Sequence, residues 1–177
     1  MKSLFLGILI LIFGTGNGYS QLKKHEVELS IQRSFPFNYF SKEYESGSSI
    51  NISDCVFFDE KNGILFTIGK SQFAKKNSGD YKVGSIYEAK VGFKYKSRKL
   101  FYCNVSSGFA LYNQLLSSRS GFLMNFGSGI MLSLKTGAHI NIHGQMNYGT
   151  NRPSGIFWFS TGFGISFSIK RIKHNSK

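Results

Sequence analysis

At 177 residues the chain has room for one domain and hardly for two. Aromatic residues are 16% and charged residues only 18%, below the roughly 25% of soluble domains, yet a mean hydropathy of -0.13 excludes a bundle of apolar membrane helices. The net charge of +13 would suggest a nucleic-acid partner in a cytosolic chain, and the N-terminus argues against that partner.

Residues 1–20 read as a secretory signal peptide. Met1-Lys2-Ser3 is a basic start, Leu4 to Phe13 is an apolar run, and Gly18-Tyr19-Ser20 fits the small-x-small cleavage pattern. The run is too short for a membrane span of about 20 residues. Cleavage would begin the mature chain at Gln21 and lower the net charge to +12 as Lys2 leaves.

From there the pattern has period two, the signature of strands, and no helical period is evident. Val27, Leu29 and Ile31 oppose Glu26, Glu28, Ser30 and Gln32 in a first strand. A long link is expected over Arg33 to Ser49. The stretches Ile50–Asp59 and Ile64–Ala74 are apolar with blurred alternation, and Asn62-Gly63 falls at the tight turn between them. In the fourth strand Tyr81, Val83, Tyr87, Ala89, Val91, Phe93 and Tyr95 oppose Lys82, Gly84, Glu88, Lys90, Gly92, Lys94 and Lys96. In the fifth, Phe101, Cys103, Val105, Phe109 and Leu111 oppose Tyr102, Asn104, Ser106, Gly108 and Ala110. Phe122, Met124, Phe126, Ile130, Leu132 and Leu134 share one face of the sixth, against Asn125, Gly127, Gly129, Ser133 and Lys135. Ala138, Ile140, Ile142, Met146 and Tyr148 alternate with His139, Asn141, His143, Gln145 and Asn147 in the seventh. The eighth sets Phe157, Phe159, Phe163, Ile165, Phe167 and Ile169 against Trp158, Ser160, Gly162, Gly164, Ser166, Ser168 and Lys170.

Eight strands, several longer than the 9–11 residues that cross a bilayer, alternate long and short connections. An up-and-down membrane barrel sorts its connections this way, with short periplasmic turns and longer outer loops. The polar stripes are small and the apolar stripes bulky. An eight-stranded interior is just wide enough for its own side chains, so the rings belong outside, against lipid. The fold expected is therefore all-β: an eight-stranded antiparallel transmembrane barrel over 21–170, followed by a basic periplasmic tail, 171–177.

That orientation turns Glu26, Glu28, Lys82, Glu88, Lys90, Lys94, His139, Asn141, His143 and Gln145 into a polar network in the lumen, with Lys96 beside it. Internal ion pairs that fill the barrel are the expected use, because an unpaired buried charge is costly. A narrow channel or small-ligand carrier is the alternative. Aromatic residues near strand ends, Tyr95, Phe101, Phe122, Tyr148 and Phe157, would form interface girdles. Parity sets Cys55 and Cys103 on opposite faces of non-adjacent strands, so two free thiols are expected. There is no CxxC and no Cys/His cluster, and no metal or cofactor is expected.

These features resemble the small eight-stranded outer-membrane barrel proteins of Gram-negative bacteria, the OmpA-barrel-like group, over Gln21 to Lys170. The resemblance implies an integral outer-membrane location, membrane lipid and lipopolysaccharide as neighbours, a monomer, and no catalytic role. Phe157–Ile169 resembles the aromatic-rich last strand that the assembly machinery reads. Such chains usually stop at a terminal aromatic, whereas this one continues through Lys170-Arg171-Ile172-Lys173 to Lys177. Arg33, Lys75, Lys76, Arg119 and Arg152, with Lys42, fall in the expected outer loops and are candidate contacts for lipopolysaccharide phosphates. The segment His143-Gly144-Gln145-Met146-Asn147, followed by Pro153 and Gly155, is faintly similar to the lipid A deacylase barrels. Gln145 is no nucleophile, and no Asp or Glu follows Glu88 to orient a histidine.

Overall fold

The computed structural model describes residues 24–76, 83–97, 100–113, 120–134, 137–150 and 155–170. The expected signal 1–20 and tail 171–177 lie outside them, as do Lys82, Arg119 and Arg152. Eight strands run in chain order: β1 (Lys24–Phe37), β2 (Gly47–Phe57), β3 (Asn62–Ala74), β4 (Val83–Lys96), β5 (Phe101–Asn113), β6 (Ser120–Ser133), β7 (Ala138–Gly149) and β8 (Ile156–Lys170). A short helix, α1 (Asn38–Glu43), joins β1 to β2. Each strand pairs antiparallel with the next, and β1 pairs with β8 from Lys24↔Lys170 to Phe37↔Phe157, closing the barrel. Closure leaves no strand edge unpaired.

The short connections 58–61, 97–100 and 134–137 meet at one end, with the start of β1 and the end of β8. The longer links 38–46, 75–82, 114–119 and 150–155 join the strands at the other. Alternation holds around the wall. Leu29, Ile52, Phe66, Val91, Phe109, Phe126, Ile142, Phe163 and Phe167 point outward, Phe109 with 72% of its surface exposed and Phe163 with 61%. Soluble monomers rarely expose a contiguous apolar patch beyond a few hundred Å². The inner stripe is small because the strands crowd it. A Cβ on Gly92 would collide with the Val105 carbonyl and with Ser106.

Two expectations are corrected. The segment Arg33 to Ser49 is not an open loop. β1 continues to Phe37, with Ser34 turned inward and Arg33, Phe35 and Phe37 turned outward, so Arg33 lies on the outer wall between Ser48 and Thr161. Pro36 sits near the end of β1, where a missing N–H is tolerated. After Phe37, Asn38 takes a positive φ of 54° and the chain makes one helical turn. That turn is too short to print a helical period on the sequence. Its Phe40 and Tyr44 at its C-terminal cap are buried.

The second correction concerns the lumen, which is not polar throughout. At the long-link end Phe40, Tyr44, Phe73, Ile86, Ala110, Tyr112, Leu123, Ile156 and Trp158 form one buried apolar cluster. Cys55, Phe57 and Leu65 form a smaller one toward the short-turn end. The blurred alternation of β2 and β3 follows from this, since apolar residues occupy both of their faces at that end.

Candidate functional site

The candidate site is the lumen. It is layered, and each layer follows from which inward position carries which side chain.

The aromatic plug closes the long-link end. Phe40 lies 4.9 Å from Phe73 and 6.4 Å from Trp158, centroid to centroid, in edge-on contacts. Backbone bonds from Glu45 N to Ala74 O (2.9 Å) and from Lys76 N to Glu43 O (2.8 Å) tie the far side of α1 to the end of β3.

Below the plug runs a chain of hydroxyls. Ser71 meets Ser49 at 2.7 Å, Ser49 meets Ser34 at 2.6 Å, and Ser34 meets Ser160 at 2.8 Å. These residues come from β3, β2, β1 and β8. Buried hydroxyls need such partners, and here each is supplied by the neighbouring strand.

Next lies an amide network with a defined direction. Asn125 Nδ2 donates to Asn147 Oδ1 (2.9 Å) and Gln145 Oε1 (3.1 Å), and Gln145 Nε2 donates to Gln32 Oε1 (2.6 Å). Gln32 Nε2 then has only hydrogens to offer. It lies 2.8 Å from His143 Nε2, so that nitrogen accepts and the ring proton sits on Nδ1, an orientation assigned from the network. His143 Nδ1 faces Glu28 Oε1 at 3.7 Å. Asn51 fits its neighbours with its nitrogen toward Glu88 Oε1 and its oxygen toward Gln32 Nε2, both at 3.0 Å.

The charged groups pair within the wall. Lys90 Nζ donates to Glu88 Oε1 at 2.7 Å, and both side chains are almost fully buried. Toward the short-turn end Glu26 receives Lys94 at 2.8 Å, Lys96 at 3.1 Å and Lys24 at 3.8 Å. Lys94 also lies 3.6 Å from Glu28 and 4.6 Å from the Tyr102 ring centroid. Asn141 Nδ2 donates to Glu28 Oε2 at 2.8 Å. Removing such groups from water costs several kcal/mol each unless partners are close, and the short distances supply that compensation.

Free space in the middle is a cavity of about 40 Å³ lined by Glu28, Gln32, Asn51, Lys90, Asn125 and His143, among others. It has room for a few waters.

Of the residues singled out from sequence, Glu26, Glu28, Glu88, Lys90, Lys94, His139, Asn141 and His143 are buried in the lumen, and Gln145 is half-buried there. His139 stands apart from the central network, between Ser133 and Ser168 at 3.0 Å each. The His143 ring has the Gln32 amide at 2.8 Å and the Glu28 carboxylate at 3.7 Å beside it, and the Thr161 hydroxyl donates to the His143 backbone carbonyl at 3.2 Å. Lys75 and Lys76 are exposed at the long-link rim, where Lys76 Nζ donates to Ser41 O at 2.8 Å. Cys55 and Cys103 are free, one buried and one exposed. Among the described residues no three His, Cys, Asp or Glu side chains gather as a metal site requires. Sequence reasoning missed the plug residues Phe40, Tyr44, Phe73 and Trp158. Trp158 did carry a signal, as the one large ring in an otherwise small stripe.

No protein-family model matches the chain, and no curated protein matches it. Solved structures do. Neisserial surface protein A superposes with a TM-score of 0.57 at 10% identity, covering 81% of this chain and 96% of that one. Ail, the attachment invasion locus protein of Yersinia pestis, gives 0.58 at 11%, covering 84% and 99%. Ail has also been solved with the heparin analogue sucrose octasulfate. The outer membrane protein OprG from Pseudomonas aeruginosa gives 0.55 at 11%, covering 83% and 97%. At these identities the likeness is one of fold: this chain has the fold of the small eight-stranded outer-membrane barrels.

Proposed function

We propose that the chain is an integral outer-membrane barrel, delivered by a signal peptide cleaved after Ser20, that acts without catalysis as a structural element and presents its long-link end as an interaction surface. The observation that carries this reading is the sorting of side chains: bulky apolar groups cover the outer wall, and small polar groups and paired ions line much of the lumen below the aromatic plug. Hydrocarbon tails accept the first set, and the closed barrel satisfies every strand's backbone, as the membrane interior demands. The short turns then face the periplasm, with the tail 171–177, and the last strand is what the assembly machinery reads. The barrel works as a monomer.

Cations mark the long-link end as a surface for anionic partners. Lys42, Lys75 and Lys76 are exposed there and Arg33 and Lys70 point outward just below; Arg119 and Arg152 belong to its links by sequence. Lipopolysaccharide phosphates are the fitting partner, since guanidinium groups bind phosphate in a forked geometry. The complex of Ail with a sulfated sugar lends support, being a polyanion on a barrel of the same fold. A channel or carrier role is disfavoured by the aromatic plug and by a cavity of only about 40 Å³.

The test is fractionation with gel mobility. The protein is expected in the outer-membrane fraction, migrating differently before and after boiling, and silent in planar bilayers. Recovery in the soluble periplasm would remove the reading, and steady conductance would replace it with the channel.

A further inference from the structure

The outer wall is mostly apolar, and one row across four strands breaks it. The ladders set Arg33 of β1 directly opposite Ser48 of β2, and Ser48 opposite Gln72 of β3. On its other side Arg33 meets Thr161 of β8. All four side chains turn outward, because Ser34, Ser49, Ser71 and Ser160 next to them in the chain are bonded to one another inside the lumen. Directly opposed residues on one face stand about 5 Å apart at Cβ, so the four form a continuous polar step. Bulky apolar rows bracket it. Phe35 pairs with Phe159 on the long-link side, and Phe163, Ile31 and Ile50 follow one another in register on the short-turn side. Ile31, Ile50 and Phe163 keep half or more of their surface exposed.

A guanidinium on such a wall calls for an anion, since a lipid-facing cation is unfavourable unless it is paired. Arg33 makes no ion pair among the described residues. Its Nη2 donates to Ser46 Oγ, a neutral partner, and the rest of its fork stays open. The Thr161 hydroxyl is spent on the His143 carbonyl at 3.2 Å, whereas no bond among the described residues engages the Ser48 hydroxyl or the Gln72 amide. Lys70 lies one row below Gln72 on the same outward face, its Nζ 5.3 Å from the Tyr87 ring centroid. The acids of that end do not cancel these cations. Glu43 and Lys75 are both engaged, which leaves Glu45 against Arg33, Lys42, Lys70 and Lys76 among the described residues.

We propose that the Arg33–Ser48–Gln72 row is a laterally open seat for the phosphate of an acylated lipid, entered from within the leaflet that surrounds the long-link end. The inference rests on the membrane reading above and deepens it, because it moves lipid recognition from the rim onto the wall. Arg33 supplies the fork that matches phosphate oxygens, and Ser48 and Gln72 supply neutral donors beside it. Lys70 adds attraction from the flank. The acyl chains lie over Ile31, Ile50 and Phe163, so one lipid meets the polar step and the apolar row below it together.

The test places the full chain in phosphatidylcholine nanodiscs and follows the Arg33 guanidinium and the Arg33, Ser48 and Gln72 backbone amides by NMR. Lipid A is expected to shift these signals, and lipid A stripped of its phosphates is not. Equal shifts with phosphatidylglycerol would assign the seat to phospholipid phosphate, and shifts with lipid A alone to the glycolipid. Arg33→Gln should weaken association roughly tenfold. Arg33→Lys should recover only part of it, as an ammonium lacks the fork. Lys70→Gln should cost about fivefold or less. The rim variant Lys75→Gln/Lys76→Gln should leave the shifts in place. Undiminished association in Arg33→Gln overturns the proposal, and so do equal shifts with the phosphate-free lipid, which would mean acyl contact only. Inorganic phosphate that produces the same shifts overturns it in favour of a free-phosphate site. Insertion with no shifts from any lipid removes this proposal alone, while a chain that fails to insert removes the membrane reading with it.

Discussion

At the long-link end the lumen is filled by rings, with Phe40, Phe73 and Trp158 meeting edge-on within 6.4 Å of one another. At the short-turn end it is filled by a carboxylate, Glu26, with three lysines within 3.8 Å. Both solutions exclude bulk water from a narrow barrel, but they differ in how they fail. Rings lose contacts in proportion to what is removed and leave a cavity behind. Ions fail together, since removing one partner strands the others in a medium that does not solvate them. The aromatic end therefore acts as a seal that tolerates graded damage, and the ionic end as a lock that does not.

The largest expected effect comes from breaking the lock. Glu26→Gln should destabilise the folded barrel by about 4 kcal/mol, read by urea unfolding in detergent, because Lys94 and Lys96 lose their close counter-charge. Adding Lys94→Met should restore much of that loss, since replacing a buried pair by apolar groups is often neutral. Phe40→Ala tests the seal and should cost about 3 kcal/mol. It should also speed hydrogen exchange at Tyr44 and Glu45 while leaving the Glu26 cluster protected. A cost for Phe40→Ala larger than that for Glu26→Gln would invert the comparison.

Ser34→Ala probes the layer between the two. Its hydroxyl meets Ser49 and Ser160, so an intermediate loss of about 1–2 kcal/mol is expected in the same unfolding measurement. The smallest effect belongs to the rim. Lys76→Ala should change stability by less than about 0.5 kcal/mol, as exposed positions do, while weakening retention of lipopolysaccharide on the purified barrel.

The contrast between the ends also explains what could be read from sequence. Parity placed Glu26, Glu88, Lys90, Lys94 and His143 inside because a strand must send alternate side chains to opposite faces. It placed Phe109, Phe126 and Phe163 outside for the same reason. The plug was not legible by this route. Phe40 and Tyr44 come from one helical turn and its cap, whose position over the mouth depends on where β1 and β3 end. Phe73, Ile86 and Trp158 obey parity but break the rule that the inner face is small and polar. That rule describes the crowded middle and not a mouth, where a link can fold in. A link is expected from Arg33, the one charged residue in the stripe of Val27, Leu29 and Ile31, yet the ladder with β8 runs on to Phe37↔Phe157. The direction of the amide network was out of reach, since it depends on contacts such as Gln32 with His143 across strands far apart in sequence.

The account stands on the side of the wall that meets lipid. A single tryptophan on the outer face, Phe126→Trp in a Trp158→Phe background, measures this directly in vesicles of brominated phospholipid. Strong quenching by the brominated chains and none by aqueous iodide is the predicted result. Quenching by iodide with no effect of bromine would put the phenylalanine wall in water and contradict the account.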